Sequence, residues 1–433
     1  MKKFLSIFFV IFLTACLPKG VQIPQSPALA LLERKSGLIS YIGTDGNIYI
    51  ADQGASNIRQ LTKDATPLEQ TSGNLVVYQS PTWSFDGNQL AFIRATQDAS
   101  GIKSEIYIAD AEAETSNSIY SSKTEFPFYL SWSNDNQNID ALMSTATQQT
   151  MMLQRISTNG KEKQVIDTGT PYYWSLAPDS TTMLVHKNSV DSPTGSQLSF
   201  LKLGEEVTEY VADSIPASFQ SPAWSPNGKF ILLTNKTATE KQELVLADST
   251  GKTQKNISTF KISTAFAWAF DSEHFAYIDS ENQLANGVIG PLHVTDVNGG
   301  EEIVIKDKII AFFWSPNSKR LAYFIPFNST PDATNGTTQN QKSTLVLQLN
   351  ILDIASGTSR EVYTYQPSAQ FLSILPYFDQ YHQSMTIWSP DSNYLTLPFV
   401  DTDSTMKIAI VPGSGQTESR LLAEGIFSTW SWK

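Results

Sequence analysis

From about residue 37 onward the chain is a succession of short apolar runs separated by turn-forming residues. Gln89–Ile93 (QLAFI), Phe230–Thr234 (FILLT), His274–Ile278 (HFAYI) and Arg320–Phe324 (RLAYF) are such runs. Their length and their aromatic and branched side chains suit strands, and they are too short for core helices. A second run follows each closely, as in Glu105–Asp110 (EIYIAD) or Glu243–Asp248 (ELVLAD). A third, more polar one closes the group, as in Glu162–Ile166 or Glu301–Ile305. The predicted elements are β-strands, arriving in groups.

The groups have a period. Tryptophan stands at Trp83, Trp132, Trp174, Trp224, Trp268, Trp314, Trp388 and Trp430, with an additional Trp432. Successive intervals are 42–50 residues, except for 74 between Trp314 and Trp388. Serine follows each of the eight except Trp268, which precedes Ala269. A turn comes next: Phe85-Asp86-Gly87, Pro226-Asn227-Gly228, Pro316-Asn317-Ser318, Pro390-Asp391-Ser392, with weaker copies at Asn134–Asn136, Ala177–Ser180 and Phe270–Ser272. Pro presets the first corner, Asp or Asn caps its own backbone, and Gly accepts a positive φ. One Trp per repeat at fixed register is what packing of sheet on sheet requires, so these eight are assigned to structure rather than to a ligand cage.

Four short strands in about 45 residues make the blade of a β-propeller. Gly37–Thr62 reads as three strands without a tryptophan strand, and Phe427–Trp430 as a tryptophan strand with nothing behind it. Each supplies what the other lacks, so the two ends should share a blade and leave no exposed edge. The expectation is an all-β protein, an eight-bladed propeller of four-stranded antiparallel blades closed by pairing of N- and C-terminal strands. Seven blades is the runner-up, should two degenerate units merge.

Trp-Ser-Pro-Asp/Asn-Gly, then Leu-Ala-Phe, then Ile-Tyr-Ile-Ala-Asp resembles the WD40-like (PD40) repeat of TolB-type propellers, over residues 37–433. The resemblance implies the fold and little of the function, since such propellers serve scaffolds, peptidases and lyases alike. TolB itself has an additional N-terminal domain, so its partner contacts do not carry over to this chain.

The N-terminus supplies an address. Met1-Lys2-Lys3, an apolar run from Phe4 to Leu13 and small residues before a cut site form a secretory signal. The run is short of the roughly 20 apolar residues of a membrane span. Leu13-Thr14-Ala15-Cys16 resembles the lipobox of bacterial lipoproteins, and Cys16 is the chain's one cysteine. That resemblance implies a diacylglycerol on the Cys16 thiol, cleavage before it and acylation (palmitate among the chains) of the new terminus. The expected organisation is a signal peptide over 1–15, a lipidated tether over 16–36 and the propeller over 37–433. The tether, with Pro18, Pro24 and Pro27, would reach roughly 60–70 Å if extended. The expected location is extracytoplasmic, anchored to the outer surface of the cell membrane or to an outer membrane.

Charged residues are 17% of the chain, against a usual figure of roughly 25%. The net charge of −12 argues against a nucleic-acid partner, which needs a cationic footprint. A single cysteine excludes an internal disulfide framework and multi-cysteine metal sites. The histidines are His186, His274, His293 and His382, without His-x-His or His-x₃-His spacing. A manganese-dependent lyase on such a propeller would need several of them to converge on the channel, so no metal and no cofactor are expected. Gly413-Ser414-Gly415 reads as a turn rather than the Gly-x-Ser-x-Gly elbow of a hydrolase.

The irregular unit is the one between Trp314 and Trp388. Its excess falls in Pro326–Lys342, rich in Asn, Thr and Gln, and in Gln366–Ser384, which contains Phe371, Leu372, Ile374, Leu375, Tyr377, Phe378, Tyr381 and His382. Both insertions crown one face of a four-stranded blade array, and function concentrates on such loops. Pro193 with Asp191, and Ile215–Phe219, extend the same rim. Phe371, Tyr377, Phe378, Tyr381 and His382 form the candidate binding face, with burial over the channel as the competing arrangement. The functional expectation is a non-enzymatic binding or scaffolding lipoprotein of the bacterial envelope, engaging a protein, peptide or glycan through that face. The alternative is an extracytoplasmic polysaccharide lyase or hydrolase acting at the central channel.

Overall fold

The computed structural model describes residues 37–433 except 68–69, 71–72, 113–114, 146–149, 189–191, 193–194, 218–219, 283–286, 301, 330–343 and 417. The signal peptide, Cys16 and the tether lie outside the described residues, as do Asp191, Pro193, Phe219 and most of the first insertion.

The described chain is all-β apart from short helices in the second insertion. Five antiparallel four-stranded sheets follow one another, over residues 75–122, 125–169, 172–211, 223–260 and 264–309, each with its strands in sequence order. The first strand of each carries or precedes the repeat tryptophan. Burial falls off outward: in the third sheet Thr182–Asn188 is buried at every position but the last, while the outermost strand Thr208–Val211 is exposed throughout. This is why the closing run of each group is polar.

The remaining strands form one ten-stranded sheet. It runs from Ala311–Trp314 through Ser359–Pro367 to Tyr394–Val400, Met406–Pro412 and Arg420–Trp430, and then to the N-terminal strands Leu38–Gly43, Ile48–Asp52 and Arg59–Gln60. Arg420–Trp430 changes partner midway. Its first half pairs with Met406–Pro412 (Lys407 with Glu424), its second with Leu38–Gly43 (Ile39 with Trp430, Ile42 with Phe427). The expected pairing of chain ends is thus present. Trp388 differs from the expectation: its segment is not a strand and makes isolated bridges, Trp388 to Leu395 and Thr386 to Trp430.

Repeated hydrogen bonds explain the repeated residues. The indole Nε1 of Trp132 donates to the Thr82 carbonyl (2.9 Å), Trp268 to Ala223 (2.9 Å), Trp314 to Ala267 (3.3 Å) and Trp388 to Phe313 (3.0 Å). Each acceptor is the residue before the preceding unit's tryptophan, so at these four joints one buried donor fastens a unit to the last. Trp83, Trp224 and Trp430 depart from this, with their Nε1 atoms buried and unpartnered among the described residues, and Trp224 is half-buried against Phe200.

The serine after five of the tryptophans holds the turn. Ser84 Oγ accepts from Gln89 N and donates to Asp86 Oδ1, and Ser133, Ser225, Ser315 and Ser389 repeat both bonds. At the chain ends Ser431 Oγ accepts from Leu38 N (2.8 Å), and Leu38 O accepts from Ser431 N (2.7 Å). Leu38 therefore takes the place that Gln89 holds five residues after Ser84.

The next turn position is left-handed in every copy, as Gly87, Asn136, Ser180, Gly228, Ser272, Ser318 or Ser392. Four of the non-glycine side chains accept a backbone N–H from the preceding turn: Asn136 from Phe85, Ser272 from Asn227, Ser318 from Asp271, Ser392 from Asn317. Gly228 faces Pro178, which has no N–H to offer, and a Cβ on Gly87 would lie 2.7 Å from the Lys433 carbonyl.

Candidate functional site

The second insertion is not an irregular loop. Ser368 Oγ caps a helix by accepting from Phe371 N (3.2 Å) and donates to Ile426 O (2.7 Å). Helix Ala369–Ile374, a 3₁₀ turn Leu375–Tyr377 and a single turn Phe378–Tyr381 follow. The signal was available: Phe371, Ile374, Leu375 and Phe378 stand at i, i+3, i+4 and i+7, a helical apolar stripe that an aromatic count overlooks.

That stripe points inward. Phe371 and Phe378 are fully buried, against Phe324 (5.7 Å between ring centres) and Phe312 (4.7 Å). Tyr381 meets Tyr129 edge-on at 5.0 Å, and His382 stacks on Phe270 and Phe313. Of the five residues expected to form a binding face, Tyr377 alone stays 36% exposed, beside Tyr173. The other four line the inside of the segment, the covering arrangement.

Its polar groups serve the inner strands. Asp379 Oδ2 accepts from Ser221 N (2.9 Å), Gln380 Oε1 from Trp174 N (3.0 Å) and His382 Nε2 from Trp314 N (3.3 Å). Tyr129 donates its hydroxyl to Gln380 O (3.0 Å), and Gln383 Nε2 donates to Ser221 Oγ (2.8 Å). Inner-edge amides of several sheets, which would otherwise lack partners, are thereby satisfied. Sequence reasoning passed over Asp379, Gln380 and Gln383, whose partners are more than 150 residues away in the chain.

The face that carries the segment also carries exposed apolar residues. Val77, Ile102, Phe128, Ile215, Phe327, Leu345 and Tyr377, all 36–46% exposed, sit toward the strand ends away from the Trp-Ser turns. They are seven of the thirteen exposed large hydrophobic residues described, so one face holds more than half. Two long hairpins, Gln89–Asp98 with Gly101–Asp110 and Arg320–Ser329 with Thr344–Asp353, belong to it.

Beneath the segment lies a cavity of about 380 Å³, reaching toward the Trp-Ser turns. Asp379, Gln380, His382 and Gln383 line one end, and Phe85, Phe270 and Trp432 the other. Burial pushes the Asp379 carboxyl up to about 6, against the lowering effect of the Ser221 and Gln380 amides. Burial likewise pushes His382 down to about 4. His186 is held apart between Gln220 O and Ser196 Oγ, His293 pairs with Glu302, and His274 with Asp271. Among the described residues no group of three His, Cys, Asp or Glu is placed to hold a metal ion.

No family model matches the chain, and no curated protein does. Solved structures do. Dihydro-heme d1 dehydrogenase NirN in complex with DHE is 13% identical with a TM-score of 0.52, over 92% of this chain and 76% of that one. Oligogalacturonate lyase in complex with manganese is 11% identical with a TM-score of 0.48, over 87% and 96%. TolB from Acinetobacter baumannii is 14% identical with a TM-score of 0.36, over 79% and 82%. Other β-propeller proteins are among the similar structures. At these identities the likeness is one of fold.

Proposed function

We propose that this protein is a lipid-anchored, non-enzymatic binding protein of the bacterial envelope that engages a protein or peptide through its insertion-bearing face. In this reading the ten-stranded sheet is three successive blades, namely 311–367, the Trp388 segment with 394–424, and 426–430 with 38–60. With the five separate sheets they make an eight-bladed propeller, acylated at Cys16. The observation that carries the reading is that seven of the thirteen exposed large hydrophobic residues described lie on this one face. Concentrated exposed apolar area of this kind marks protein contacts, and suits a peptide or protein better than a glycan. Against catalysis, Asp379, Gln380 and His382 are already engaged with backbone amides.

The test is crosslinking in intact envelopes with wild type and a triple variant, Ile102→Ser, Phe128→Ser and Tyr377→Ser. The expected result is a partner captured by the wild type and lost from a variant that melts normally; a partner retained in full sinks the reading. Cys16→Ser is expected to abolish acylation, read by intact mass and detergent partitioning, and an unchanged mass would remove the anchor. A second reading, an enzyme acting in the channel, is favoured by the Asp379 carboxyl, pushed up to about 6, in a cavity that His382 also lines. It requires turnover of an oligosaccharide that Asp379→Asn eliminates.

A further inference from the structure

The cavity under the inserted segment is of a size that holds small molecules. Its lining has an unusual charge balance. Asp379 is its one carboxylate, and no Lys or Arg lines it. Each Asp379 oxygen accepts a backbone amide, Oδ2 from Ser221 and Oδ1 from Gln380, and no cationic side chain bears on it. Buried carboxylates are ordinarily paired with a cation, because neutral amides leave the net charge in place. His382 does not supply one. Its Nε2 accepts from Trp314 N, so the ring is neutral with its proton on Nδ1.

The far end of the cavity is aromatic. Trp432 lies between Phe85 (5.5 Å between ring centres) and Phe270 (5.7 Å). Aromatic faces pack against the carbon skeleton of a small guest. The indole N–H groups of two lining residues, Trp224 and Trp432, are buried without an acceptor among the described residues, as are those of Trp83 and Trp430 away from the cavity. An oxygen on a bound molecule would satisfy the two at the cavity.

We infer that the cavity is a binding site for a small organic cation that also carries hydroxyl oxygens, an amino alcohol or amino sugar, with Asp379 as its counter-ion and Trp432 as its aromatic wall. The ammonium group meets the unpaired carboxylate, and the hydroxyls meet the indole donors. An anion is disfavoured by the same carboxylate, and a purely apolar guest would leave both donors unsatisfied. This site is independent of the partner reading, because it lies on the other side of the inserted segment from the apolar rim.

The test is calorimetric titration of the full-length protein with ethanolamine, choline and glucosamine, and with neutral N-acetylglucosamine as the control for charge. Glucosamine is expected to bind at least about tenfold more tightly than N-acetylglucosamine. Asp379→Asn should remove that preference, and Trp432→Phe, which keeps the ring and deletes the donor, should weaken binding a few-fold. Thermal melting of each variant verifies that it is folded. The inference is overturned if none of the three cations binds, if the neutral sugar binds as well as the charged one, or if folded Asp379→Asn binds unchanged. A crystal soaked in the binding amine that shows only ordered water in the cavity would overturn it as well.

Discussion

The second sheet, 125–169, and the inserted segment, 369–384, are both well buried, but they are held in different ways. The sheet is fastened by bonds that recur elsewhere in the molecule: Trp132 to Thr82, Ser133 to Asn138, Asn136 to Phe85. The segment is fastened by bonds that occur once, from Asp379 to Ser221, Gln380 to Trp174 and His382 to Trp314. Repeated fastenings make stability a property of the whole array, because each sheet depends on the next. Single fastenings make a fitting that can be lost while the array stands.

The largest effect should come from breaking the array at its ends. Deleting Phe427–Lys433 removes the partner of Leu38–Gly43 and the Ser431 bond to Leu38. The expected outcome is loss of the cooperative thermal transition. Replacing 369–384 by a short Gly-Ser connection should leave a folded array that melts at a lower temperature. Equal behaviour of the two deletions would erase the distinction between array and fitting.

Within the segment, Phe378→Ala empties a fully buried ring site beside Phe312 and should cost about 3–5 kcal/mol in urea unfolding. A cost near zero would mean that the segment is not packed as described.

Smaller changes compare the joints directly. Ser84→Ala and Ser431→Ala delete the same hydroxyl, within one turn and between the chain ends, and each should cost about 1 kcal/mol. A neutral Ser431→Ala beside a costly Ser84→Ala would show that the chain-end joint is not equivalent to the internal ones.

The smallest effect is on pH dependence. Below its ordinary 6.5 the unfolded chain protonates His382, while the folded chain waits until about 4, so stability is lost as the pH falls through that window. Asp379 acts oppositely. Folded, it takes up its proton near 6 rather than at the ordinary 3.8, so it adds stability over a similar range. From pH 7 to pH 5, Asp379→Asn should lose more stability than wild type and His382→Gln less, measured as urea midpoints. The reverse order would refute both assignments.

Much of the fold was legible because its signals are local and repeated. Five-residue apolar runs, a tryptophan every 42–50 residues and a Ser-Pro-Asp-Gly turn each announce themselves within a few positions. The pairing of chain ends was legible from what each end lacked. The candidate face was only partly legible. Tyr377 remains on the surface, but Phe371 and Phe378 turned inward on a helical stripe that the sequence displayed and the aromatic composition obscured. Ile102 belongs to a regular strand and Phe128 to a break in the register of one, and neither carried a separate signal.

By itself, then, the amino-acid sequence determined the strands, their grouping, the tryptophan register and the complementarity of residues 37–62 and 427–430, because backbone pairing and side-chain alternation are read over neighbouring positions. Only the tertiary structure decided what the inserted segment covers, which amides it satisfies, and that a lone carboxylate and two unpartnered indoles line one cavity. Tyr129, Trp174, Ser221 and Trp314 reach that segment from several different sheets, and no local pattern encodes a meeting of residues so far apart.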